Sequence, residues 1–144
     1  MSKRHDARET ALQVLYSCEI GGAPEDEALD AFFEAHAPDA PAERRAFAGE
    51  LVRGTMASMP ALDDLIIRHS EHWRIDRIAV IDRLILRMAI WELQHQPDTP
   101  PAVVINEAVE LARTFSTEAS VGFVNGILDG VRKSLEAQGP GPKA

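Results

Sequence analysis

The first eight residues hold three bases, Lys3, Arg4 and Arg8, with His5 among them and the α-amino group beside them. Cations gathered in this way suit the phosphates of a nucleic acid, which need Lys and Arg to displace counterions. Gln13 and Tyr16 share a predicted helix with Arg8 and offer hydrogen bonds and a ring for stacking on an RNA base. The plainer reading of Tyr16 is a half-buried packing residue. His69 and His72 stand three apart and could place two ligands on one helical face, but no third ligand suggests itself, so a solvated helix end is the better reading and no metal is expected. Glu107 and Glu110 could share a proton; with Arg113 three residues on, a solvated face is expected instead. Cys18 follows Leu15 on an apolar stripe, which makes it a core thiol. The chain has no Gly-rich phosphate loop, HExxH pair or Gly-x-Ser-x-Gly elbow, so neither catalysis nor a cofactor is expected.

The elements that would position these residues are helices throughout. Asp6 to Glu19 carries Ala7, Ala11, Leu12, Leu15 and Cys18 at helical spacing, and Asp6 with Glu9 has the spacing of a capping box. Gly21 and Gly22 end that helix, and Pro24 opens a second with Leu29, Phe32 and Phe33 inward. A third runs from Ala42 through Phe47, Leu51 and Val52. Pro60 should bend or restart it, with Leu62, Leu65, Ile66 and His69 continuing the stripe. Ile75 to Gln94 is apolar on most sides and should be central. Thr99 and Thr117 are candidate caps for two last helices, marked by Val104 to Phe115 and Phe123 to Leu135. No convincing period-two alternation occurs, so no sheet is expected. The fold class is all-α: a compact bundle of about six to seven helices in two small subdomains. One domain should span 1–137, its halves about 1–72 and 73–137, with 138–144 a flexible tail.

A chain of 144 residues with 45% apolar and 26% charged residues has globular composition. The net charge of −8 opposes indiscriminate nucleic-acid binding, but the acidity is local: residues 20–72 hold eleven acids against four arginines. An anionic partner should therefore approach the amino end. One cysteine excludes an internal disulfide. There is no apolar run of about 18 residues and no apolar core behind the initial charges, so neither a membrane span nor a signal peptide is expected, which points to the cytoplasm.

Two blocks carry more specific information. One is Ala7-Arg8-Glu9 followed by Ala11, Gln13, Leu15 and Tyr16. The other is Val104 to Ala112 (VINEAVELA) with Phe115, ending in Phe123 to Asp129 (FVNGILD). Between them lie Asp82-Arg83, Leu86 to Ala89 and Glu92-Leu93. In order, spacing and length, from about residue 4 to 133, the chain resembles the NusB family of transcription antitermination factors. That resemblance implies an all-helical, non-enzymatic protein. It would bind the boxA element of nascent RNA with NusE, a small-subunit ribosomal protein, and help RNA polymerase read through terminators, notably in ribosomal RNA operons. It implies RNA contact at Lys3, Arg4, His5, Arg8, Tyr16 and Phe123, and a NusE-facing position at Asp82.

This chain departs from the family pattern where His5 and Asp6 interrupt the usual arginine run, and where Gly122 replaces a common base. Fewer cations predict weak RNA binding by the protein alone, a shallow salt dependence and reliance on the partner. Asn106 and Asn125 are candidate base readers, although packing or backbone roles are favoured for both. The competing function is a helical protein–protein scaffold without sequence-specific RNA binding. A NusB-type domain joined to an RNA methyltransferase would need a catalytic fold after it, which this sequence does not continue into. A homodimer through the first helix would cover Arg8 and Tyr16.

Overall fold

A computed structural model describes residues 3–70 and 74–138. Among these residues there are seven α-helices, one 3-10 turn and no strand, divided between two compact units, Met1–Ser58 and Met59–Ala144. The first unit holds α1 (Lys3–Gly21), α2 (Glu25–His36) and α3 (Ala42–Ala57), each packed on the other two. Ala7, Ala11, Leu12, Val14, Leu15 and Cys18 of α1 are buried, as are Leu29 and Phe33 of α2 and Phe47, Ala48, Leu51 and Val52 of α3. Helix α1 ends as its glycines foretell: Gly22 has φ +74°, and its N–H donates to the Cys18 carbonyl at 3.0 Å. A side chain would make that left-handed turn costly. Asp6 is not a cap, since α1 already runs from Lys3 and places Asp6 in its first turn.

The helix break expected near Pro60 falls at Ser58, whose N–H is shared between the carbonyls of Gly54 and Thr55. Helix α4 (Met59–His69) then starts afresh, with Pro60 in its first turn, where a missing N–H costs nothing. Helix α4 packs on α5 and α7. It therefore belongs with the second unit, and the grouping changes after Ser58 rather than near residue 72.

Helix α5 (Val80–His95) is the centre of the second unit, with α4, α6 (Pro101–Phe115) and α7 (Glu118–Ala137) against it and Leu84 to Ile90 all buried. It begins five residues later than its pattern suggests. Ile75–Arg77 form a 3-10 turn, and Ile78 and Ala79 are extended. Arg83 Nη1 donates to the carbonyls of Ile75 (3.2 Å), which also accepts from the Ile78 N–H, and Ile78 (3.4 Å). Arg87 clamps α4 to α5 through two bonds to Asp63, at 2.7 and 3.0 Å. Gly130 lets α4 approach α7, because a Cβ there would stand 2.9 Å from His69 Cδ2. Thr117 caps α7 by accepting from the Ser120 N–H at 3.2 Å. Thr99 does not cap α6: it is buried in the preceding turn, and Pro100 holds the cap position. No helix among the described residues is long and apolar enough to cross a membrane.

Candidate nucleic-acid interface

The cationic end of α1 is built on aromatic support. Arg4 is exposed, with its guanidinium carbon 4.4 Å from the centre of the Phe47 ring, and Arg8 lies 5.4 Å from the same ring. The two arginines differ sharply in access. Arg8 is only 3% exposed, a buried cation of the α1–α3 packing. The reason is its register: Arg8 precedes Leu12 by four residues and Leu15 by seven, which puts it on the apolar stripe itself. His5 is half-buried and pairs with Glu9, Nε2 to Oε2 3.3 Å, one turn along. The Lys3 side chain lies outside the described residues. Tyr16 is 42% exposed and two turns beyond Arg8, with its ring available to a ligand.

Helix α3 brings further bases to this region. Arg44 Nη2 donates to Thr10 Oγ1 of α1 at 2.9 Å, and Arg45 lies 4.7 Å from the centre of the Phe33 ring. Sequence reading assigned neither residue, because they sit in the most acidic stretch of the chain and only the fold sets Arg44 beside α1 and Arg45 over Phe33.

In the second unit, Phe123 is half-buried on α7 and lines a cavity of about 320 Å³ with Arg77, Ile78, Ala79, Asp82, Ala119 and Ser120. Asp82 is 6% exposed, and both its carboxylate oxygens are occupied: Ser116 Oγ donates to Oδ1 and Ser120 Oγ to Oδ2, each at 2.7 Å. The two hydroxyls lie 2.9 Å apart, and Thr117 Oγ1 is 3.0 Å from Ser120 Oγ. One buried carboxylate thus pins the α6–α7 junction to α5, one turn before Phe123. Asp82 is turned towards Ser116 and Ser120, at the edge of the cavity it helps to line. What remains accessible beside it is the cavity lined by Phe123 and Arg77.

The other candidates sort by surroundings. Asn106 and Asn125 are exposed and line a second groove with Pro100, Ile105, Val109 and Asp129. Glu110 pairs with Arg113 at 2.5 Å, as a solvated face would. His69 Nδ1 is 3.0 Å from the Leu65 carbonyl, and His72 lies outside the described residues. Burial pushes the Cys18 thiol pKa up, with the Glu25 carboxylate adding to it.

Comparison with known proteins matches this architecture. The NusB family model covers residues 5–133. Transcription antitermination protein NusB of Solibacter usitatus is 44% identical over 135 residues, spanning 94% of this chain and 92% of that protein. A T. maritima NusB structure superposes with a TM-score of 0.83 at 32% identity, covering 92% of each chain. A chain from the crystal structure of antitermination factors NusB and NusE in complex with dsRNA gives a TM-score of 0.84 at 28% identity, covering 93% of this chain and 98% of that one. With a family match over nearly its whole length, close relatives of the same size and the same all-helical fold, this chain belongs to the NusB family.

Proposed function

We propose that this protein is a non-enzymatic transcription antitermination factor. It binds boxA RNA of nascent transcripts together with a NusE-like ribosomal protein, joins the antitermination complex on RNA polymerase and promotes read-through in the cytoplasm. The observation that carries the reading is the pair of ligand-ready features on a NusB fold. An exposed Arg4 on an aromatic support and an exposed Tyr16 mark α1, and Phe123 lines an open cavity at the α6–α7 junction. Arginine supplies charge to phosphates, and the rings supply stacking platforms for unpaired bases. The relative crystallised with NusE and RNA supports the same partners here. Asp82 serves this function from within, by fixing the helix that carries Phe123, and the NusE-like protein docks on the accessible surface around it. His5 contributes by setting the first turn of α1 through Glu9.

The test is a gel-shift titration with boxA RNA and a scrambled RNA of equal length, with and without the NusE-like protein. Preferential binding of boxA that tightens with the partner is expected. Equal binding of the two RNAs in the presence of partner would replace this reading with the protein–protein scaffold.

A further inference from the structure

We propose that Arg44 and Arg45, at the start of α3, form a second phosphate-binding step beside the amino end of α1, so that bound RNA runs from one helix onto the other. The inference rests on the RNA-binding reading above and extends it to residues that neither the amino-terminal motif nor the family blocks contain.

Arg53, Arg74, Arg87, Arg113 and Arg132 are all paired with carboxylates, at 2.5 to 3.2 Å. Arg44 and Arg45 are held differently. Arg44 bonds the Thr10 hydroxyl and lies 5.9 Å from the Phe33 ring centre. Arg45 donates from Nε to the Ala40 carbonyl (3.2 Å) and from Nη2 to the carbonyls of Pro38 (2.7 Å) and Ala37 (3.4 Å), with its guanidinium over Phe33. Hydroxyls, carbonyls and phenyl faces fix a guanidinium in place without cancelling its charge. Two neighbouring cations are therefore oriented in advance and left electrically uncompensated by their own partners, which lowers the ordering cost of binding an anion. Glu43 precedes them in the same turn, so residues 43–45 together carry a net positive charge.

Position supplies the second half. Thr10, which holds Arg44, lies on α1, and Phe47, one turn after Arg44, is the ring beneath Arg4. Arg4 thus rests on a ring of α3, Arg44 joins α3 to α1 through Thr10, and Arg44 and Arg45 both stand over Phe33 near the end of α2. Arg45 is exposed and Arg44 half-buried, with its Nε buried and unbonded, whereas Arg8 is buried. The cations that the interrupted amino-terminal run lacks are supplied by the neighbouring helix. Planar guanidinium forks fixed in this way suit phosphate oxygens better than a mobile ammonium would.

The experiment measures boxA binding by the full chain with its NusE-like partner across a salt series, for wild type, Arg44→Gln/Arg45→Gln, Arg44→Lys/Arg45→Lys and Arg4→Gln. Each single-strand phosphate contact contributes about 0.7 to the slope of log K against log salt. The glutamine pair should lower the slope by about 1.4 and weaken binding about tenfold at 150 mM salt. The lysine pair, which keeps the charge, should retain the slope. An unchanged slope in the glutamine pair with a lowered one in Arg4→Gln would remove α3 from the RNA path and leave the RNA-binding reading standing. Unchanged slopes in every variant would remove that reading as well. Should the glutamine pair not fold, crosslinking of 4-thiouridine boxA RNA to the unaltered protein decides: adducts within residues 42–47 support the step, and adducts confined to other segments overturn it.

Discussion

Replacing Asp82 by Ala should destabilise the second unit by about 2–4 kcal/mol, and this figure follows from how the carboxylate is used. Hydrogen bonds to a charged group each contribute roughly 1.5–3 kcal/mol, and Asp82 accepts two at 2.7 Å while 6% exposed. Their loss is partly offset, because Ser116 and Ser120 lie 2.9 Å apart and Ser120 also reaches Thr117, so the hydroxyls keep partners. Removing both serines instead leaves a buried carboxylate without donors and should cost at least as much. The diagnostic is the triple variant Asp82→Ala/Ser116→Ala/Ser120→Ala, which removes charge and donors together. It should be less destabilised than the sum of Asp82→Ala and the double serine variant by about 1–3 kcal/mol, as expected for groups in one network. Urea unfolding followed by circular dichroism, with midpoints compared at constant slope, reads all three. Strict additivity, or an Asp82→Ala midpoint equal to wild type, would refute the view that this carboxylate holds the α6–α7 junction.

Other outcomes follow from the same structure. Asp63→Ala leaves Arg87, whose side chain is 7% exposed, without its bidentate partner and should cost about 3 kcal/mol by urea unfolding. Tyr16→Ala should leave stability nearly unchanged while weakening boxA binding by about 1–3 kcal/mol, as loss of a stacking platform does; titration beside a melting curve separates the two effects. The Cys18 thiol, with its pKa raised in the folded state, binds its proton more tightly there than in the unfolded chain. Its contribution to stability is thus complete below the unfolded thiol's pKa and lost as pH rises through the folded value. Alkaline melting should be relieved in Cys18→Ala, and iodoacetamide should label native Cys18 far more slowly than the unfolded chain.

Punctuation that acts within a few residues was legible in the sequence. Gly22, the break before Pro60 and the Thr117 cap all fall where local backbone chemistry puts them, and the even hydrophobicity of α5 marked it as central. The late start of α5 was not legible, because its apolar pattern runs unbroken through Ile75 and Ile78 while Arg83 reaches back to the carbonyls of both. The two site residues that moved inward, Arg8 and Asp82, carry charges that a sequence reading assigns to solvent. For Arg8 the signal was present in its place on the Leu12–Leu15 stripe; for Asp82 the partners lie 34 and 38 residues away. Arg44 and Arg45 were hidden for a similar reason, since they sit in the most acidic stretch of the chain while the groups that hold them are a hydroxyl, backbone carbonyls and a phenyl ring.

In the proposed function the exposed cationic end of α1 carries transcript RNA into a complex with the ribosomal partner. Arg8 must be spared in testing it, because an acid at a buried position would unfold the helix packing. The direct measurement is the boxA dissociation constant of the ternary complex for wild type and for Lys3→Glu/Arg4→Glu, at one salt concentration and with the scrambled RNA as reference. The charge-reversed protein should still bind the NusE-like partner but hold boxA at least tenfold more weakly; a ternary complex as tight as wild type would show that this end of α1 does not carry the RNA.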